Sequence, residues 1–285
     1  MANKQRDKVR KQEKFFKGLI YASAAITVII VISIIGYILI MGLPNVTSEF
    51  LTENVTSLGR TGGIFPIIIN TLYLIGLGLL FSVPISVMAA IYLTEYAKKG
   101  RLVDFIKLCT ENLAGIPSVI FGLFGFLLFG RIFGLGWSLL NGSITVAIVI
   151  MPTLIRTTQE ALITVPDSFR EGSLALGATK WKTIYKVVLP SAMSGIFSGV
   201  ALSMGRIIGE TAALYLTLGS GTKLVSDVMQ SARSLALHLY ILVSEGLSPG
   251  NAYATAAVLI IVILILNLSA SLFTYRMKKK LGMDK

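Results

Sequence analysis

The chain contains few charged residues and almost no cysteine or histidine. Charged residues make up 14% of its 285 residues and hydrophobic residues 54%, whereas a soluble domain carries about 25% charged residues. The mean hydropathy of +0.77 also excludes a disordered chain, because disordered chains are low in hydrophobicity. The single Cys109 leaves no intrachain disulfide and no cysteine-based zinc site. The sequence therefore predicts an integral membrane protein rather than a water-soluble enzyme.

The sequence also lacks the common motifs of catalysis. It has no G-x-x-x-x-G-K-[ST] motif for nucleotide phosphates and no H-E-x-x-H motif for zinc. Its one histidine, His238, excludes a haem site with paired histidine ligands and is interpreted as an interfacial side chain beside apolar neighbours. The nearest serine-protease pattern, at Gly136 to Ser138, lacks its second glycine. We predict no catalytic residue, no metal site and no bound cofactor in this chain.

Six runs without Asp, Glu, Lys or Arg predict six membrane-spanning segments. A helix needs about 20 mostly apolar residues to cross the hydrocarbon core of a bilayer. Lipid cannot satisfy the backbone of an open strand, so each segment is expected to be helical. The predicted fold class is all-α and integral to the membrane, with six transmembrane helices. The charge-free runs are 18–48, 61–94, 112–130, 132–155, 187–205 and 246–275.

The distribution of basic residues predicts the orientation of these segments. Of the 26 Lys and Arg residues, 21 fall in the two terminal tails and the connectors on one side of the membrane. The positive-inside rule places that side, with both termini, in the cytoplasm. The formal charge of +12 is thereby explained without nucleic acid. The first run is interpreted as a retained anchor and not a signal peptide, because its small triplet Ala22-Ser23-Ala24 lies at the start of the apolar run, whereas a cleavage site should follow it.

The cytoplasmic connector between the fourth and fifth segments, residues 165–190, predicts two short helices with a joint. Ser168 and Glu171 have the spacing of a capping box that starts the first helix. Gly177 is placed to end it in a left-handed conformation, and Thr179 to cap the second helix. A short exposed helix with a glycine joint is a good lever, and a partner that docks on it could push the fifth segment.

Arg206 and Glu210 continue the fifth segment beyond its charge-free part. Residues four apart share a helix face, so the two side chains are expected to pair. Charges at this depth are costly and usually mark a substrate path, although a purely structural ion pair is the alternative. The stretch from Val187 to Leu218 is too long for one straight span, which predicts a bend near Gly205 or Gly209.

Pairs of small residues four apart lie in two of the segments. They are Gly195 with Gly199, Gly205 with Gly209, and Ser118 with Gly122. Small residues at this spacing let a neighbouring helix approach closely.

The connector resembles a motif of ABC import permeases, E-A-A-x-x-x-G followed nine residues later by an aliphatic residue, any residue and L-P. This chain has EGSLALG at 171–177 and VVLP at 187–190 in the same register, with Gly172 and Ser173 in place of the two alanines. Both replacements are small, so packing in a socket is still expected. The resemblance implies that a coupling helix, at about 166–178, docks in a groove of a cytoplasmic ATPase. It assigns ATPase coupling to Glu171, Gly172, Ser173, Ala175, Leu176 and Gly177.

Three further strings resemble the membrane subunits of the phosphate-specific transport (Pst) system. They are LAGIPSVIFGLFG at 113–125, MPTLIRTTQE at 151–160 and GRIIGET at 205–211, of which the last is the most specific. The short chain and LALHLY at 235–240 favour the PstA type over the PstC type. The resemblance implies the MetI-like architecture of a type I ABC importer permease. It divides the chain into a basic cytoplasmic tail (1–17), a first helix with an outer segment (18–60), the permease core (61–275) and a second basic tail (276–285).

The resemblance also implies a function and a set of partners. The chain is expected to be a non-enzymatic, multi-pass subunit in the cytoplasmic membrane of a prokaryote, where it imports inorganic phosphate. The implied partners are a PstC-type permease subunit, a PstB-type ATPase dimer that uses ATP and Mg²⁺, and a PstS-type phosphate-binding protein. Arg206, Glu210 and Arg156 are assigned to the substrate pathway, although Arg156 is equally explained as a residue at the membrane boundary.

Two other functions stay open from the sequence. One is an ABC import permease for another solute, and the other is a self-sufficient secondary carrier or channel. The sequence has no inverted repeat, which argues against a carrier.

Overall fold

A computed structural model describes residues 2–98 and 100–280 of the chain. These residues form twelve α-helices and one two-stranded antiparallel hairpin. The helices are α1 (Ala2–Gly42), α2 (Ser48–Thr52), α3 (Phe65–Ile91), α4 (Arg101–Gly115), α5 (Ser118–Gly125), α6 (Leu139–Ile163), α7 (Asp167–Ala175), α8 (Lys180–Thr183), α9 (Leu189–Gly209), α10 (Ala212–Thr217), α11 (Leu235–Ser244) and α12 (Pro249–Lys280); the strands are β1 (Val55–Thr56) and β2 (Thr61–Gly62).

Five helices are long and apolar enough to cross a membrane, and a bent pair makes up to six. Short π-helical turns extend α3 to Tyr96 and α5 to Ile132, and another joins α8 to α9. The five are Glu13–Asn45, Phe65–Tyr96, Leu139–Ile163, Lys180–Gly209 and Pro249–Met277. The all-α membrane fold expected from the charge-free runs is confirmed.

The third predicted span, 112–130, is not a straight helix. The chain breaks between Gly115 and Ser118, and the axes of α4 and the extended α5 differ by 101°. Pro117 explains the break, because it has no N–H to donate and forces Ile116 into the extended conformation that the structure shows. α4 has charged residues along one side, so the turn separates an amphipathic helix from an apolar one.

The core lies where α3, α6 and α9 pack together, with α10 and α11 closing one end. Small residues allow the approach of α9 to α6: a Cβ at Gly195 would overlap Ala161, and a Cβ at Gly199 would overlap Thr157. The close packing expected from the Gly195 and Gly199 pair is therefore confirmed. A Cβ added at Gly205 or Gly209 would have no neighbour within 4 Å among the described residues, so this second pair packs against nothing in this part of the chain.

The segment between α1 and α3 forms a small cap at the end of the bundle. β1 pairs with β2, with Val55 opposite Gly62. Asn251 of α12 binds the turn between the strands. Its side-chain amide donates to the carbonyls of Gly59 at 2.9 Å and Arg60 at 3.2 Å. The loop before α11 also contacts this cap, because Arg233 donates to the Leu58 carbonyl.

Candidate functional site

The connector between α6 and α9 has the shape expected of a lever. α7 ends at Ala175, and the chain leaves it through Gly177, which has a φ of +80°. The N–H of Ala178 donates to the Ser173 carbonyl, and that of Gly177 donates to the Leu174 carbonyl. These are the two hydrogen bonds of a Schellman motif. Thr179 caps α8 by accepting from the N–H of Lys182. The predicted glycine joint and second cap are confirmed.

The predicted capping box at the start of α7 is wrong. The helix begins at Asp167 after Pro166, and Ser168 lies inside its first turn with no capping hydrogen bond. Pro166 directly precedes the helix and occupies the N-cap position, so Ser168 cannot cap it. Glu171 lies in the same helix and is exposed.

The residues assigned to ATPase coupling form one exposed surface. Glu171, Gly172, Ala175 and Gly177 are exposed, and the Leu176 side chain keeps 90% of its surface accessible. Ser173 is the exception, because its hydroxyl lies 2.9 Å from that of Thr183 and ties α7 to α8. The assigned residues thus lie on a largely uncovered helix that is fastened at its joint.

Sequence reasoning missed the residue that holds this helix in place. Arg170 of α7 forms a salt bridge of 2.8 Å with Glu95, at the end of the extended α3. It also donates to the carbonyls of Leu162 at 2.9 Å and Val165 at 2.6 Å. Seventy-five residues separate Arg170 from Glu95, and no periodicity connects them.

The fifth span breaks where the sequence predicted. α9 ends at Gly209, and the chain is extended at Glu210 before α10 begins. The expected Arg206–Glu210 ion pair is not formed, because the break removes the shared helix face. The buried Glu210 carboxylate instead accepts the N–H groups of Thr211 and Ala213, each at 3.2 Å. A mostly apolar cavity of about 570 Å³ adjoins the break.

Arg206 lies on an uncovered stripe of α9. Ser198, Leu202 and Arg206 are spaced four residues apart, and all three are exposed. Gly205 and Gly209, which have open space beside them, flank the same stripe. This face of α9 is available for a partner subunit or for solute.

Arg156 lies in a different place, in a cavity between α4 and α6 whose lining includes charged residues. The cavity has a volume of about 500 Å³ and is lined by Lys107 and Glu111 of α4 as well as by Arg156 and Glu160. Arg156 and Glu160 form an exposed ion pair of 3.2 Å. The structure therefore does not bring Arg156 into the break with Glu210.

A buried arginine, also missed from the sequence, contacts the cap. Arg233 is 3% exposed and donates to the carbonyls of Ser220 at 3.1 Å and Leu58 at 3.3 Å. Its Nη1 also lies 3.2 Å from Nδ1 of His238. His238 is 1% exposed, so the expectation of an interfacial side chain is wrong. Burial, followed by the charge of Arg233, lowers the pKa of His238 to about 4.

Comparison with protein families gives a match over most of the chain. Residues 82–282 match the family described as "Binding-protein-dependent transport system inner membrane component". The resemblance to import permeases, first found in the residues of the connector, is thereby confirmed.

Individual relatives cover most of the sequence. The chain is 31% identical to "Probable ABC transporter permease protein YqgI" of Bacillus subtilis, over 94% of this chain and 97% of that protein. It is 30% identical to "Phosphate transport system permease protein PstA" of Haemophilus influenzae, over 94% and 96%. It is 35% identical to "Phosphate transport system permease protein PstA 1" of Mycobacterium tuberculosis, over 75% and 71%.

Solved structures share the fold at low sequence identity. A bacterial ABC transporter that imports alginate aligns with a TM-score of 0.65 and 18% identity, over 90% of this chain and 95% of that one. The MetNI methionine ABC transporter aligns with a TM-score of 0.60 and 18% identity, over 75% and 94%. The predicted MetI-like architecture of a type I importer permease is confirmed.

Proposed function

Because the chain belongs to the family of inner membrane components of binding-protein-dependent transport systems, we propose that it is the PstA-type permease subunit of an ATP-driven inorganic phosphate importer. It is an ABC importer permease subunit of the inner membrane. The observation that carries the choice of phosphate is the similarity to PstA permeases over nearly the full chain. The permeases for methionine and alginate share only the fold.

In this proposal, the chain pairs with a homologous PstC-type subunit and forms half of the translocation pathway. The uncovered stripe of α9 that contains Ser198, Leu202 and Arg206 supports this arrangement, since an exposed arginine in a span needs a polar neighbour. A guanidinium suits a phosphate anion because its N–H groups match the oxygens two at a time. Arg206 is the proposed anion contact of the pathway.

Glu210 and Arg156 have separate parts in the proposed pathway. Glu210 holds the break at the end of α9 by accepting the backbone N–H groups of Thr211 and Ala213, and its negative charge keeps anion binding weak enough for release. Arg156, in the cavity beside α4, attracts the anion at the cytoplasmic mouth. The three residues thus act at different points along the path.

ATP is used by a partner in this proposal. A PstB-type ATPase dimer docks on α7 in the cytoplasm, and a PstS-type protein delivers phosphate on the opposite side. Both termini lie in the cytoplasm, as the distribution of Lys and Arg predicts. Leu176, at 90% exposure on a helix tied to α8, is well suited to fill a groove of the ATPase.

The test is uptake of radiolabelled phosphate by a strain that lacks this chain, before and after the gene is restored. We expect uptake to return with the gene and sulfate uptake to stay the same. A permease for another solute is indicated if phosphate uptake does not change while ATPase activity of the reconstituted complex responds to a different binding protein. Phosphate flux in liposomes that contain this chain alone would indicate a self-sufficient carrier.

A further inference from the structure

The Arg170 guanidinium joins α7 to the ends of α3 and α6. Arg170 belongs to α7, Glu95 to the π-helical turn that ends α3, and the carbonyls of Leu162 and Val165 to the end of α6 and the turn after it. The Nε and Nη2 atoms of Arg170 both donate to Oε1 of Glu95, at 3.1 and 2.8 Å, and Nε also lies 3.4 Å from Oε2. Two donors of one planar guanidinium thus bind the same carboxylate, which restricts the orientation of the two side chains.

Every donor of this guanidinium has a partner. Arginine has five N–H groups, and the two bonds to Glu95 are completed by bonds to Leu162, Val165 and Asp167. The Arg170 and Glu95 side chains are only 17% and 8% exposed. A lysine has one ammonium group in place of the planar fork, so it cannot reach all of these acceptors at once.

Two further sets of contacts join α3 and α6 to the chain between α7 and α9. The Lys180 ammonium lies 5.0 Å from the centre of the Tyr96 ring, which ties the start of α8 to the end of α3. Beneath them, Ala90, Leu162 and Val188 belong to one buried cluster of α3, α6 and the chain leading into α9. The docking residues Glu171 and Leu176 take no part in these contacts and are exposed.

We infer that Arg170 and Glu95 are positioning residues that make α7 move together with the cytoplasmic ends of α3 and α6. This inference rests on the proposed function of α7 as the docking helix for an ATPase. Between α7 and α8, one side-chain hydrogen bond spans the joint at Gly177, the 2.9 Å bond of Ser173 to Thr183. The bond to Glu95 provides a second, stiff connection to α3, which packs against both α6 and α9.

The consequence is a division of labour between two groups of residues. Loss of a docking residue is expected to remove the ATPase from the complex. Loss of the Arg170–Glu95 pair is expected to leave the ATPase bound while its motion no longer reaches the spans.

The test uses the complete complex of permease and ATPase, with Glu95→Gln and Arg170→Lys as the variants. Asp167→Asn is the matched control, since Asp167 bonds the same guanidinium but its side chain is 88% exposed and lies on α7 itself. One readout is the amount of ATPase that co-purifies. The second is the distance between spin labels at the exposed positions 168 and 92, on α7 and at the end of α3, in a Cys109→Ser background.

We expect the co-purified ATPase to stay within about two-fold of wild type in all three variants. In wild type and Asp167→Asn, the label distance keeps one narrow distribution with and without trapped nucleotide. In Glu95→Gln and Arg170→Lys, it broadens or shifts when nucleotide is trapped, and the ATP hydrolysed per phosphate imported rises about ten-fold.

Two results would overturn the inference. One is a label distance in Glu95→Gln and Arg170→Lys that equals that of wild type in both nucleotide states. The other is loss of the ATPase from both variants, which would assign the pair to docking or to folding. The label distances need no solute, so a wild-type complex that imports no phosphate would contradict the proposed substrate and leave this measurement valid.

Discussion

The Glu210 carboxylate caps the backbone of Ala213, accepting its N–H at 3.2 Å. The same Oε1 atom accepts the N–H of Thr211. A side chain that the sequence places four residues after Arg206 thus stabilises the helix that follows the break, and the arginine is left on the exposed face of α9.

This geometry predicts that Glu210→Gln has little effect on the stability of the complex and that Glu210→Ala lowers it. Glutamine keeps an oxygen that can accept the N–H of Ala213, whereas loss of a capping side chain costs about 0.5–2 kcal/mol of stability. We expect thermal unfolding of the purified complex to be near wild type for glutamine and lower by a few degrees for alanine. Equal destabilisation by both substitutions would show that charge, and not the cap, is what matters at this position.

Arg206→Gln is expected to abolish phosphate uptake while the complex still assembles. The side chain is exposed, so its replacement leaves no buried partner unsatisfied. Arg206→Lys keeps the charge without the planar fork and should retain part of the uptake. The measurement is uptake of radiolabelled phosphate at matched amounts of membrane complex. Normal uptake by the glutamine variant would remove Arg206 from the pathway.

Glu171→Lys should release the ATPase and leave the membrane core folded. Glu171 is exposed on α7, and a reversed charge opposes a groove that accepts an acidic side chain. Asp104→Lys is the control, because Asp104 is also an exposed acidic residue but lies on α4. The measurement is co-purification of the ATPase, and we expect a loss of at least about ten-fold for Glu171→Lys alone. Retention of the ATPase by this variant would contradict the docking role.

The sequence predicted the features that depend on local residue patterns, which are the spans, the joint and the cap. It missed the change in helix direction. Charge-free runs located the spans because burial in lipid acts on every residue of a segment. Gly177 and Thr179 were predictable because a left-handed joint and a cap each need a particular residue type. The same runs carry no information on where a helix turns, so the 101° bend before Ser118 was missed. Pro117 was the signal that could have found it.

The missed site residues are joined across long stretches of chain. Arg170 and Glu95 are 75 residues apart, and Arg233 reaches the Leu58 carbonyl 175 residues away. Neither pair produces a periodic pattern, and a single sequence holds no other record of such contacts. The expected Arg206–Glu210 pair failed for the opposite reason: the spacing rule assumes a continuous helix, and α9 ends between the two residues.

His238 predicts how the complex responds to acid. Its pKa is about 4 in the folded protein because the ring is buried beside Arg233, against a usual value of about 6.5. Between these values the unfolded chain binds the extra proton, so stability is fully present above pH 6.5 and falls as the pH drops toward 4. The loss at pH 5 is about 2 kcal/mol. Thermal unfolding at pH 7 and pH 5 should differ less in His238→Gln than in wild type, and an equal difference would contradict this assignment.

Gly199 predicts how tightly α9 must approach α6. A Cβ at this position would lie 3.0 Å from the Thr157 Cβ and overlap its hydroxyl, and forced packing of this kind costs about 1–3 kcal/mol. Gly36→Ala is the matched control, because nothing among the described residues lies within 4 Å of a Cβ there. For a protein of this size, we expect Gly199→Ala to lower the unfolding temperature by about 2–10 °C and the control to leave it unchanged or slightly higher. If Gly199→Ala and Gly36→Ala change the unfolding temperature equally, α9 and α6 are not in close contact at Gly199. The uncovered stripe of α9 would then have to be assigned to another face of the helix.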